Sequence, residues 1–136
     1  MDAIRIGTVS QVDHESGKIA VTYTDRDDST TILMPYLTFN GEYHMPLLEQ
    51  KVCVLRLSTG EEVGIALGMF WGGSGQVPPV SGKDHYHKEF SHSAGKASID
   101  HDPETGELRI KADKIILETE SGEITAAQII AALGGA

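Results

Sequence analysis

The chain has 136 residues, 40% of them hydrophobic, and 20 acids against 11 bases give it a formal charge of −9. That length suggests one domain, or a small domain with an appendage. The acids are spread, ten against five bases in residues 1–72 and eight against four in residues 96–124. The lack of a basic patch to neutralise phosphates weighs against nucleic acid as a partner, and none is expected in the leading reading.

Residues 1–72 read as five strands. Ile4, Ile6, Val9 and Val12 form the first, which ends in the turn Asp13-His14-Glu15-Ser16-Gly17. Lys18–Thr24 is the second, with Ile19, Val21 and Tyr23 on one face at period two. Thr30–Leu37 is the third, with Pro35 marking an edge or a bend. A longer connection, Thr38–Gln50, contains Asn40-Gly41 and Met45-Pro46. Lys51–Ser58 and Glu62–Trp71 then form a hairpin around Thr59-Gly60-Glu61. Three strands, a long crossing and a final hairpin is the order of a small Greek-key barrel of the OB type. Gly64 and Gly68 share a face of the last strand, as a tight barrel-closing bend requires. The single cysteine, Cys53, lies in an apolar strand pattern and is expected as a packed core thiol. Tyr23, Tyr36, Phe39, Tyr43, Phe70 and Trp71 are not interleaved with Lys or Arg, so packing is their expected role.

Residues 73–89 are a glycine- and proline-rich neck, a break in composition that separates the barrel from the rest of the chain. At its end, His85-Tyr86-His87 places two imidazoles on one face of an extended strand. Three chains about an axis would offer six nitrogens to one octahedral metal. The competing reading makes these histidines solvated or hydrogen-bonded, and no cofactor or metal is expected. Asp100-His101-Asp102 stands before Pro103 and is expected in a turn with a structural role. The chain contains no nucleophile elbow, phosphate loop, HExxH or GxGxxG. His85, His87 and His92 alone do not make a hydrolytic metal centre, and no catalytic residue is assigned: the chain is not expected to be an enzyme.

Residues 90–124 alternate small or apolar with polar residues: Ala97 and Ile99, Leu108, Ile110 and Ala112, then Ile115 and Leu117. The parity changes across Asp113-Lys114, so the chain bulges or turns a corner there. Asp102-Pro103-Glu104-Thr105-Gly106 and Glu120-Ser121-Gly122 carry the residues of tight turns. A segment this short and polar cannot build its own core. Its thin apolar stripe is therefore expected to be buried by other copies of the chain, in an intertwined trimeric β-prism without free edges. The expected trimer core is Ile99, Leu108, Ile110, Ile115, Leu117 and Ile124. In residues 125–136, Thr125 caps a short alanine-rich helix that Gly134 stops, with Ile129, Ile130 and Leu133 turned inward as a tip. An exposed version of this tip would touch lipid.

Three stretches together carry a family resemblance. RIGTVSQVDHESGKIAVTY (Arg5–Tyr23) is similar to the opening hairpin of the baseplate assembly protein V family, the central spikes of contractile phage tails and bacteriocin-like particles. MPLLEQKVCVLRLSTGEEVGIALGMFW (Met45–Trp71) resembles that family's barrel-closing segment, ending in Gly68-x-Phe70-Trp71. Lys96–Ile124 resembles its stalk, in which three chains form an intertwined β-helix. The resemblance implies an all-β homotrimer that docks beneath a tail hub protein and pierces the target cell envelope when the sheath contracts. It implies synthesis in the bacterial cytoplasm and assembly into the tail baseplate. Some members hold iron at the apex through His-x-His near the C-terminus; here His85-x-His87 lies at the neck instead. The stalk is short, so a separate protein at the tip is a further expected partner. The alternative is a monomeric OB-fold module with a flexible tail, binding an oligosaccharide or nucleic acid through exposed aromatics such as Tyr23. No secretory leader is visible in MDAIRIGTV, and no apolar run approaches the roughly 18–20 residues that span a bilayer.

Overall fold

The computed structural model describes residues 3–24, 28–57, 64–68 and 82–134. Over the described residues the protein is mostly β with one short helix, and it divides into two units, Met1–Val77 and Pro78–Ala136.

The first unit contains β1 (Ile4–Asp13), β2 (Lys18–Tyr23), β3 (Ser29–Thr30), β4 (Met34–Pro35), β5 (Lys51–Arg56) and β6 (Gly64–Gly68). β1 is shared between two neighbours. Its first half, Ile4 to Thr8, pairs with β5, and its second half, Thr8 to Asp13, pairs with β2. The register slips between Val9 and Gln11, a bulge that bends the strand from one partner toward the other. β5 pairs with β6, and β4 pairs with β2. Just after β4, Tyr36 bridges Ala66 of β6 in parallel, and the Leu37 N–H donates to the Ala66 carbonyl at 2.8 Å. The pairing path therefore runs from β4 through β2, β1, β5 and β6 back to the residues just after β4.

Period two decides what lies inside. Val9, Ile19, Val21, Val52 and Val54 are fully buried, with Met34, Met45, Tyr23 and Ala66 around them. Each such aliphatic side chain contributes about 1.5–3 kcal/mol on burial. Gly7 stands between Arg5 and Val9 on this inner face because nothing larger fits. A Cβ there would lie 2.2 Å from Val21 Cγ1. Cys53, expected in the core, has the opposite parity to Val52 and Val54; it pairs with Ile6 on the outer face and is only partly buried.

The single third strand expected over Thr30–Leu37 is two short pieces. The Thr31 hydroxyl accepts the Val21 N–H at 3.0 Å and donates to the Ile32 carbonyl at 2.8 Å, while the Thr31 N–H donates to the Val21 carbonyl at 2.9 Å, so a side chain takes over one bond of the backbone pair. The hairpin tip at residues 58–63 and residues 69–81, with Phe70, Trp71 and most of the neck, lie outside the described residues.

The second unit contains β7 (Tyr86–Glu89), β8 (Ser98–Asp102) and β9 (Glu107–Lys111) in one antiparallel sheet. It also contains the hairpin β10 (Ile116–Thr119) and β11 (Gly122–Thr125), followed by α1 (Ala126–Leu133). β7 lies within the segment assigned to the neck, which therefore ends before Tyr86. Asp100-His101-Asp102 is not in a turn: all three belong to β8, and the turn comes next, at Pro103–Gly106.

One five-residue device closes a hairpin in each unit. In Asp13-His14-Glu15-Ser16-Gly17, the Gly17 N–H donates to the Asp13 carbonyl at 3.0 Å, and the Asp13 carboxylate accepts from the Glu15 and Ser16 amides at 3.2 and 3.4 Å. The Ser16 side chain first, then the Ser16 and Glu15 amides, hold the Asp13 carboxyl below its ordinary range. In Asp102-Pro103-Glu104-Thr105-Gly106, Gly106 donates to Asp102 at 2.8 Å, and the Asp102 carboxylate accepts from Glu104 N–H at 2.9 Å. Gly17 and Gly106 have φ of +70° and +73°, which explains the glycine at the fifth place.

Thr125 caps α1 as expected. Its hydroxyl accepts from Gln128 N–H at 3.1 Å while Gln128 Oε1 accepts from Thr125 N–H at 2.8 Å, a complete capping box.

Candidate functional site

The register of the β7–β8–β9 sheet sorts its residues onto two faces. Directly paired residues share a face, so Tyr86, His101 and Leu108 form one row and Lys88, Ile99 and Ile110 the next. Phe90 continues this face, with the Lys88 ammonium 5.6 Å from its ring centroid. The opposite face carries His87, Asp100 and Arg109 in one row, and Glu89, Ser98 and Lys111 in another.

Burial differs across these faces in β7 and β8, while β9 is exposed on both, with the Arg109 side chain 72% exposed on the polar one. On the apolar face Leu108 is 62% exposed and Ile110 58%, and Tyr86 and Phe90 are at least half exposed. On the polar face the His87 side chain is 12% exposed and Asp100 15%. The loop 90–97 ties back to that polar side: Gly95 N–H donates to Glu89 Oε1 at 2.8 Å. Folded chains bury apolar groups and leave charges in water, because desolvating a charge costs far more than exposing a methyl.

The two histidines of the neck converge on one carboxylate oxygen. His85 Nε2 lies 2.8 Å and His87 Nδ1 2.6 Å from Asp100 Oδ2. A carboxylate only accepts, so His85 carries its proton at Nε2 and His87 at Nδ1. The hydrogen bond from His85, then that from His87, holds the Asp100 carboxyl below its ordinary value of 3.8. His87 Nε2 faces Glu89 Oε1 at 3.5 Å, while Glu89 Oε2 is buried without a hydrogen-bond partner. The network ties β7 to β8 from the polar side.

This geometry bears on each residue assigned from sequence. Ile99, Leu108 and Ile110 share one face, as the alternation requires. His85 and His87 belong to the other, so this sheet cannot turn both sets toward one axis. Among the described residues, no group of three or more His, Cys, Asp or Glu side chains is arranged to hold a metal ion. His92, the third histidine of the hydrolytic reading, lies in the loop 90–97 between β7 and β8. Leu117 and Ile124 are cross-strand partners in the β10–β11 hairpin, and both are exposed. Ile115 precedes that hairpin, and its carbonyl receives the first helical amide, Ala126 N–H, at 2.9 Å. Within one chain, Ile129, Ile130 and Leu133 are not turned into a core: no residue of α1 is buried, and Leu133 is 85% exposed. Tyr23, named as an exposed aromatic for the ligand-binding reading, is 4% exposed, with the Arg5 guanidinium 3.8 Å above its ring.

Sequence reasoning missed Tyr86, Phe90 and Ile116. The first two fall in or beside the segment read as neck, whose composition hides the alternation. Ile116 is 44% exposed on the opposite side of its hairpin from Leu117.

The sequence matches no protein-family model and no curated protein. Among the described residues, no helix is long and apolar enough to cross a membrane.

Proposed function

We propose that the protein is a structural homotrimer, the central spike of a contractile tail baseplate in a phage or bacteriocin-like particle. In this reading residues 1–72 form an OB-type barrel that docks beneath the tail hub, residues 90–124 with the preceding strand β7 form the stalk, and residues 125–136 form the tip. The observation that carries it is the open apolar face of the β7–β8–β9 sheet in the second unit. Its apolar rows are open while its histidine–carboxylate network is covered, and three copies placed apolar face to apolar face would bury Ile99, Leu108 and Ile110 together. The exposed pair Leu117 and Ile124, and Ile130 and Leu133 of α1, extend the same demand to the end of the chain.

Closure of the first unit into a barrel is supported by the sharing of β1 between β2 and β5 and by the parallel Tyr36–Ala66 bridge. The spike does no bond chemistry. Contraction of the sheath supplies the work, and the trimer supplies a stiff point without free strand edges against the target envelope. An apical protein capping α1, and synthesis in the bacterial cytoplasm, belong to the same reading. A monomeric ligand-binding module is the weaker alternative, since it leaves the apolar face of the second unit unexplained.

Gold-labelled antibody against the chain, applied to tail particles from the producing cells, tests the assignment under the electron microscope. Label confined to the baseplate end is the expected result. Protein that never sediments with tails contradicts it.

A further inference from the structure

Between the second half of β1 and the connection 38–50 lies an apolar slot of about 340 Å³, walled by Gln11, Val12, His14, Pro46, Leu47 and Leu48. Hydrogen bonds fix both of its ends. At one end Val9 N–H donates to the Gln50 carbonyl at 2.9 Å, and Glu49 N–H to the Val9 carbonyl at 2.8 Å. At the other, Tyr43 Oη donates to the His14 carbonyl at 3.2 Å. Between these points run Ser10 to Asp13, about 13 Å of extended chain.

That run is an open strand edge. β5 accompanies β1 only as far as Thr8, while β2 follows it to Asp13. Val9 turns its N–H and C=O away from β2, toward residues 49 and 50. After the extra residue of the bulge, Gln11 turns toward β2 and Val12 away again. Among the described residues no backbone group meets the Val12 N–H or C=O from that side. A donor and an acceptor offered by one strand residue in the plane of a sheet are matched best by an extended polypeptide.

The far wall is fixed and apolar. Gln50 N–H donates to the Leu47 carbonyl and Leu47 N–H to Gln50 Oε1, both at 3.3 Å, and Glu49 between them holds φ +71°. This left-handed backbone is uncommon outside glycine, and the turn it makes leaves Leu47 53% and Leu48 58% exposed beside the slot. The segments 10–17 and 38–50 contain Asp13, Glu15, Glu42 and Glu49 and no Lys or Arg. Glu15 and Glu49, each next to a lining residue, are exposed. Lys18 and Lys51, the bases that follow these segments, alternate with buried Ile19 and Val52, so they lie on the other face of the sheet from Val12, which packs on the core.

We infer that the slot seats an extended segment of the tail hub protein, which adds to the edge of β1 beside Val12, places an apolar side chain among Val12, Leu47 and Leu48, and brings a Lys or Arg to Glu15 or Glu49; the identity of the partner rests on the spike reading above.

The test uses tail particles from the producing cells, carrying the full chain with the photo-crosslinker substitution Leu48→benzoylphenylalanine. Irradiation is expected to join position 48 to one segment of another tail protein, with alternating apolar residues and at least one Lys or Arg. In unsubstituted particles the Val12 amide is expected to exchange at least about tenfold more slowly than in the free chain. Leu48→Glu is expected to cut incorporation into particles by a similar factor, with the mass and thermal unfolding of the free chain unchanged. Crosslinks to another copy of this chain, equal exchange of the Val12 amide in both samples, or full incorporation of Leu48→Glu would overturn the inference and spare the spike reading. Particles that contain no copy of the chain overturn both.

Discussion

Ile110→Ala separates an assembly surface from an ordinary surface. In the single chain Ile110 is 58% exposed, opposite Ile99. Full burial of an isoleucine stabilises by about 1.5–3 kcal/mol, so the exposed part represents roughly 1–2 kcal/mol still to be gained per copy. Three copies in one trimer put about 3–5 kcal/mol on assembly, a factor of roughly 10²–10⁴ in the trimer dissociation constant. The fold of the isolated chain stands to lose little, since substitutions at exposed positions stay within about 0.5 kcal/mol. Sedimentation equilibrium over a range of concentrations reads the first quantity, and denaturant unfolding of the dissociated chain reads the second. An unmoved dissociation constant refutes the reasoning, because the apolar face would then be solvated in the assembled protein. A large loss of fold stability in the dissociated chain also refutes it.

Asp100 sets a direction with pH. Its folded value lies below the ordinary 3.8, so its contribution is present above about pH 4 and is lost as the pH falls through the depressed value. Protection of the His87 and Lys88 amides, measured as exchange relative to the intrinsic rate at each pH from 5 downward, is expected to fall in that window. Asp100→Asn is expected to remove the acid-dependent step, and a step that survives it would assign the loss to another group. Thr125→Ala breaks the side-chain half of the capping box and is expected to cost α1 about 0.5–2 kcal/mol. Exchange at residues 128–133 measures it, and unchanged protection there would mean that packing alone holds the helix. Gly7→Ala forces a methyl against Val21 Cγ1 and is expected to lower the stability of the first unit by about 1–3 kcal/mol in thermal unfolding. A neutral result would show that β1 and β2 separate freely.

The features legible in the sequence are local. The turns Asp13–Gly17 and Asp102–Gly106, the cap at Thr125 and the alternation through Ile99, Leu108 and Ile110 depend on residues close together in the chain. The features that escape it depend on register. Nothing in His85-x-His87 says that Asp100, thirteen residues beyond His87, will stand opposite it and collect both imidazoles. The break at Thr31 requires knowing that its hydroxyl faces Val21. Cys53 is misplaced by sequence because an apolar run such as Lys51–Leu57 does not reveal which parity is inside. That ambiguity has a physical basis: both faces of β5 are apolar, and only one is covered within the chain.

The central claim is that two further copies of the chain close the open apolar face of the second unit. The decisive quantity is the absolute mass of the full-length protein, by light scattering at micromolar concentration and neutral pH. A trimeric spike has three times the mass of one chain. The mass of a single chain, unchanged on concentration, would contradict it.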